Sequence, residues 1–248
     1  MVRLICVYLG MQIFLAELIG HNQALLRGSE AHHCTRVLRH RAGDVIHCID
    51  GRGNKYVGTI ERVEKEEVLL RLDEREREWG EKSCHICLGV SPLRLKDRFE
   101  WLVEKAVELG VNEIVPVVCA RTFPHRGKWK PARLENILLT ATKQCKRSRI
   151  PQLHPPLSLP DFLQRQPAAL ALMGYCEAPT SLKQVLKQAP EAPASVVVLI
   201  GPEGDFSQEE VAKAQAAGYR PVHFGPGRLR TETAVAFLLS VLKWEWGY

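Results

Sequence analysis

One stretch constrains the fold of this chain more than any other, Val196 to Ala236. It opens on five consecutive apolar residues, Val196-Val197-Val198-Leu199-Ile200. Such a run suits a strand covered on both faces in a parallel sheet. Gly201-Pro202-Glu203-Gly204 then ends it in a turn that needs special backbone angles and no bulky wall. Ser207 followed three positions later by Glu210 reads as a capping box, and Gly218 closes the helix it starts. A short strand, Pro221 to Phe224, leads to a second glycine turn, Gly225-Pro226-Gly227. Arg228-Leu229-Arg230-Thr231-Glu232-Thr233 then opens a last apolar helix, read from Ala234 to about Trp244.

Strand, glycine turn and helix, twice over, put two bare-backbone loops at the carboxyl ends of strands, where open α/β sheets bind ligands. Glycines alone would fit two ordinary βα turns equally well. The polar Arg230-Thr231-Glu232-Thr233 beside the second turn favours a site. Bare backbone there suits the edges of an adenine or a ribose. A nucleotide-phosphate enzyme is disfavoured, because no lysine follows the first turn and the Glu203 charge repels phosphate. A non-catalytic RNA-binding protein with a decayed pocket is the other rival, and the intact glycine turns argue against it.

GPEGDFS followed by FGPGRLRTETA resembles the paired signature of the RsmE-type 16S rRNA (uracil-N3)-methyltransferases of the SPOUT superfamily. The segments KDRFEWLVEKAVELGVNEIVP, ATKQCKRSRIP and SEAHHCTRVLRHRAGDVIHCIDGRGNKYVGTI are similar to other parts of the same family. The resemblance implies the fold: an α/β knotted SPOUT (trefoil-knot) methyltransferase domain over residues 81–248, preceded by a small PUA-like RNA-binding β-barrel over residues 1–80. Met11 begins MQIFLAELIG, similar to the family's start, which leaves residues 1–10 as a candidate extension. The resemblance also implies S-adenosylmethionine in the knot, held by the turn of Gly174, Tyr175 and Glu177, by Leu199, Ile200, Gly201, Pro202 and Gly204, and by Phe224, Gly225, Leu229, Arg230, Thr231, Thr233 and Ala234. Three departures stand out: Asp205 where the family often has glycine, Gly227-Arg228 in place of a bulkier pair before Leu229-Arg230, and Lys143 where the family has an acid. The implied reaction is methyl transfer to N3 of a uridine in 16S rRNA of the small ribosomal subunit, by a cytoplasmic homodimer. Arg230 is the candidate donor to the developing uracil anion, and Glu232 the group that orients Arg230 or accepts a proton. Thr231 and Thr233 are candidate caps of the last helix.

Charge agrees with an anionic partner. The net charge is +6, and Arg121 to Arg149 holds nine cations against the single acid Glu135. Such density invites a phosphate backbone. Arg36, Arg39 and Arg41 form a second cluster on the barrel. The expected RNA contacts are these three with Arg121, Lys143, Arg147 and Arg149. Asp73 to Lys82, rich in charge and without apolar periodicity, reads as the interdomain linker. Glu104, Lys105 and Glu108 read as a solvated helix face. Eight cysteines scattered through apolar runs suit reduced thiols, and Cys84-His85-Ile86-Cys87 lacks a second ligand pair at zinc-finger spacing. No metal is expected, and no apolar run reaches the length of a membrane span.

Overall fold

The computed structural model describes residues 11–123, 131–165, 168–189 and 191–247. The expectations for residues 1–10, for the middle of the basic stretch at 124–130 and for Pro190 lie outside them. The chain divides into two compact units, residues 1–81 with 142–150, and residues 82–141 with 151–248.

The first unit carries β1 (Ile13–Leu15), β2 (Glu17–Leu18), β3 (Gln23–Arg27), α1 (Ser29–His32, continued by a π-helical turn to Val37), β4 (Val45–Ile49), β5 (Asn54–Val63) and β6 (Glu67–Arg77). Their order is β1-β4-β5-β6-β3-β2. Only Ala16 separates β1 from β2, so one extended segment pairs with β4 at one end and with β3 at the other. The sheet thereby closes on itself as a small barrel, around Phe14, Leu26, Ile46, Ile60, Val68 and Leu70.

The linker reading of Asp73–Lys82 is corrected here. Residues 73–77 continue β6, and Glu74, Glu76 and Arg77 pair in register with Val57, Lys55 and Asn54 of β5. Lys55 Nζ meets Glu76 at 2.8 Å, and the Thr59 hydroxyl donates to Asp73 at 2.7 Å. The end of the run is packed rather than loose. The Glu81 carboxylate accepts the Arg147 guanidinium at 2.9 Å and the backbone N–H groups of Ser148 and Arg149 at 3.0 and 2.8 Å.

The second unit carries β7 (His85–Val90), α2 (Lys96–Glu108), β8 (Glu113–Val118), α3 (Ala132–Gln144, whose last residues group with the first unit), β9 (Gln152–Leu153), β10 (Leu157–Ser158), α4 (Leu159–Leu163), β11 (Leu170–Gly174), α5 (Leu182–Lys187), β12 (Ser195–Ile200), α6 (Gln208–Ala216), β13 (Arg220–Val222) and α7 (Thr231–Trp246). The strand order is β10-β8-β7-β12-β11-β13, with β9 also on β8. Every pairing is parallel. β12 is the apolar run of the opening stretch. It lies between β7 and β11, which is why Val196, Val198, Leu199 and Ile200 are all buried. The capping box forms as read: Ser207 Oγ accepts the Glu210 N–H at 3.2 Å, and Glu210 Oε2 accepts the Ser207 N–H at 2.9 Å. On α2, Phe99, Leu102, Val103 and Ala106 face the core, while Lys105 binds Glu104 and Glu108 on the outer side. Cys84 and Cys87 are buried free thiols, and burial pushes Cys87 up to about 12.

Candidate active site

The loops after β11, β12 and β13, with the first turn of α7, enclose a cavity of about 620 Å³ at the carboxyl ends of the strands. Two glycines make it possible. A Cβ on Gly174 would stand 2.6 Å from Ile200 Cδ1 and 3.0 Å from the Phe224 ring, and one on Gly201 would stand 2.9 Å from the buried Phe206 ring. Any side chain there would displace a wall of the cavity.

Asp205 ties the walls together. Its carboxylate accepts the Cys176 N–H of the β11 loop at 3.1 Å and its own loop's Phe206 N–H at 2.8 Å. The φ of 59° that this requires is a strain that glycine would avoid. Partial desolvation and the Asp205 hydrogen bond raise the Cys176 thiol above its ordinary value. The third wall is pinned by Thr231, whose hydroxyl donates to the Gly201 carbonyl at 3.0 Å. This corrects the capping role expected of Thr231: the N-cap is Arg230, without a side-chain cap bond, and α7 begins at Thr231 rather than Ala234. From the β8 loop, Arg121 Nη1 donates to the Gly204 carbonyl at 2.8 Å.

Of the residues expected to hold a cofactor, Gly174, Tyr175, Glu177, Ile200, Gly201, Pro202, Gly204, Phe224, Gly225, Leu229, Arg230, Thr231 and Ala234 line the cavity. Leu199 does not: it is buried in the core packed beneath. Thr233 does not either, since it lies exposed on the outer side of α7. Sequence reasoning missed Asp205, Arg228 and the cavity position of Arg121. Glu232 is also corrected. It sits 3.7 Å from Arg98 and outside the cavity lining, so it does not orient Arg230.

Two of the expected RNA contacts are spent inside the fold. The Arg147 side chain is 7% exposed against a Glu81 side chain at 3%, and Lys143 is paired with Glu30. A phosphate would have to displace the buried Glu81 carboxylate to reach Arg147 and the half-buried Glu30 carboxylate to reach Lys143. Arg149 bonds Glu78 but stays partly open, while Arg36, Arg39 and Arg41 are exposed.

The cavity fits an adenosyl group joined to an amino acid. Ile200, Val222, Phe224 and Leu229 offer an apolar bed, and loop backbone offers polar edges. Glu177, Glu203 and Asp205 stand with Arg121, Arg228 and Arg230, a mixed set that suits a ligand bearing both charges better than a polyphosphate. Among the described residues no His, Cys, Asp and Glu cluster could hold a metal ion.

Fold and site together define a nucleic-acid-modifying class, and two families describe it. The RNA methyltransferase domain matches residues 80–243, and the RNA methyltransferase PUA domain matches residues 26–73. The chain is 27% identical over 230 residues to ribosomal RNA small subunit methyltransferase E of Bacillus subtilis, covering 89% of each. A probable rRNA-methyltransferase from Porphyromonas gingivalis superposes with a TM-score of 0.85 at 31% identity, covering 96% of this chain and 99% of that one. A ribosomal RNA small subunit methyltransferase E from Neisseria gonorrhoeae, bound to S-adenosyl methionine, gives a TM-score of 0.83 at 26% identity over 95% and 98%. The chain belongs to the RNA methyltransferases, in the family of small-subunit ribosomal RNA methyltransferase E.

Proposed function

We propose that this chain methylates N3 of a uridine in the 16S rRNA of the small ribosomal subunit, with S-adenosylmethionine as donor. The supporting observation is the cavity itself, three bare-backbone loops converging on a mixed-charge pocket rimmed by Arg121 and Arg230. The donor supplies a sulfonium-bound methyl group. Backbone of the 174–177 and 201–205 loops would hold its polar edges, with Ile200, Phe224 and Leu229 against the adenine. Loss of the N3 proton to solvent precedes transfer and leaves a uracil anion, whose N3 would take the donor's methyl group as the sulfur–methyl bond breaks and a neutral thioether departs. Negative charge spreads over O2 and O4, where the Arg230 guanidinium, exposed at the rim, meets it. Arg36, Arg39 and Arg41 take phosphates on the barrel, with Arg149 a further contact.

The passage from β13 into α7 is proposed to be threaded as a trefoil knot. The bond from Thr231 to Gly201, which holds the start of the last helix against the β12 loop, supports that reading. A crystal structure traced continuously through residues 195–240 decides it. The proposal also includes a homodimer, supported by Phe237 and Trp244 exposed on α7, and a place of action in the cytoplasm, where ribosomal subunits assemble. Calorimetry with S-adenosylmethionine tests the core of the reading. One site per chain, indifferent to chelator, is expected; no binding, or binding abolished by chelator, contradicts it.

A further inference from the structure

The loop after β12 is tied to its neighbours residue by residue. The Thr231 hydroxyl donates to the Gly201 carbonyl, the Arg94 N–H to the Glu203 carboxylate, and Arg121 Nη1 to the Gly204 carbonyl. Asp205 supplies a further tie, toward the loop after β11. Its Oδ2 accepts the Cys176 N–H at 3.1 Å, while Oδ1 accepts the Phe206 N–H at 2.8 Å and so fixes the direction of the carboxylate. The Asp205 backbone stands at φ 59°, with its N–H on the Pro202 carbonyl at 2.9 Å. Glycine would sit there without strain but could not make the tie. Strain of this kind persists where the surroundings over-determine it, and it concentrates at working sites. On the other side, the loop after β11 is anchored at its ends. Tyr175 N–H donates to the Val222 carbonyl and His223 N–H to the Thr180 carbonyl, each at 3.0 Å. Between these anchors Cys176 and Glu177 are exposed and line the cavity, and the Asp205 bond reaches the loop there.

We infer that Asp205 is a positioning residue, a latch that assembles the pocket before S-adenosylmethionine arrives, an inference that rests on the function proposed above. A pocket that is closed only part of the time binds more weakly in proportion to that fraction. A loop ordered at the moment of binding also takes its entropy out of the affinity. A carboxylate accepting from two loops removes both losses in the free protein. It acts through the Cys176 backbone, so the part of the ligand that is bound does not matter to it.

Asp205→Gly removes both bonds and relieves the strain, while Asp205→Asn keeps the shape with one acceptor oxygen and tolerates the left-handed backbone. In cofactor-free protein, Asp205→Gly should speed hydrogen exchange of the Cys176 amide roughly 10- to 100-fold, with the denaturant midpoint near that of wild type. The Kd for S-adenosylmethionine should rise by roughly the same 10- to 100-fold, the worth of one hydrogen bond to a charged acceptor. Turnover at saturating cofactor should stay within about twofold, so that KM moves and kcat does not. Asp205→Asn should fall between the two in exchange and in Kd. 5′-Methylthioadenosine, which lacks the amino-acid part, should weaken by the same factor as S-adenosylmethionine. A loss confined to S-adenosylmethionine would make Asp205 a direct partner of the ligand's ammonium and overturn the latch. Unchanged exchange in Asp205→Gly, or a lowered denaturant midpoint with unchanged cofactor affinity, overturns it too. A wild-type protein that binds neither ligand contradicts the proposed function, while the exchange still decides the latch.

Discussion

Arg230 and Arg147 show how alike residues in sequence diverge in structure. Arg230 caps α7 without a cap bond of its own and stands exposed on the cavity rim. The donor's sulfonium is cationic, so this arginine gains nothing from touching it, and in the proposed mechanism it acts on the uracil instead. Arg230→Ala should lower turnover by about 10²–10³ while changing cofactor affinity less than about threefold. Parallel loss of both in titration and single-turnover assays would make it a structural support. Arg147, by contrast, is buried against Glu81. Arg147→Ala should cost about 3–5 kcal/mol in denaturant unfolding, because it strands a buried carboxylate. Arg36→Ala with Arg41→Ala should leave stability near wild type and flatten the salt dependence of RNA binding by about one unit of slope per contact. Composition shows the cations but not which of them meets a buried acid 66 residues away. The misplaced cofactor contacts have a simpler cause. Successive strand residues face opposite ways, so Ile200 reaches the cavity and Leu199 the core. On α7, Thr231 and Ala234 share a face that Thr233 does not.

Among the elements, β12 and α6 were legible because a double-sided apolar run and a capping box have few other readings. β6 was not. Its second half is all charge, without the alternation that marks a strand, and it is held by the ladder to β5 and by cross-strand ion pairs. The amino ends of β7 and β8 hold another feature hidden from pattern. Glu113 accepts His85 Nε2 and His154 Nε2, each at 2.7 Å, and Arg165 at 2.8 Å. Burial pushes this carboxyl up, but the bonds from His85, Arg165 and His154, with the Arg165 charge, pull it below its ordinary value of 4.5. A depressed folded pKa adds stability above the unfolded value, and that stability is lost as pH falls through the folded one. Glu113→Gln should therefore be less stable than wild type at neutral pH, with the gap closing below about pH 4.5. A gap that stays constant through acid would show that the carboxylate charge contributes nothing.

For the molecule as a whole, the sequence resemblance carried the barrel, the α/β unit and the position of the pocket. It did not carry the inclusion of residues 142–150 in the first unit, because that grouping goes with long-range contacts, among them those to Glu81, Gly51 and Gly53, rather than with any local pattern. The exposed Trp244, at 87%, and Phe237, at 41%, sit on the last helix and are the surface on which the proposed self-association would rest. Light scattering at micromolar concentration should give a dimer, and Phe237→Glu with Trp244→Glu a monomer. A wild-type monomer would contradict the proposed assembly. The account turns most directly on the product. Purified protein, S-adenosylmethionine and small ribosomal subunits lacking the mark should yield one methyl group per 16S rRNA, located on uracil N3 by digestion and mass spectrometry. No transfer, or a methyl group on ribose oxygen or uracil carbon, would contradict it.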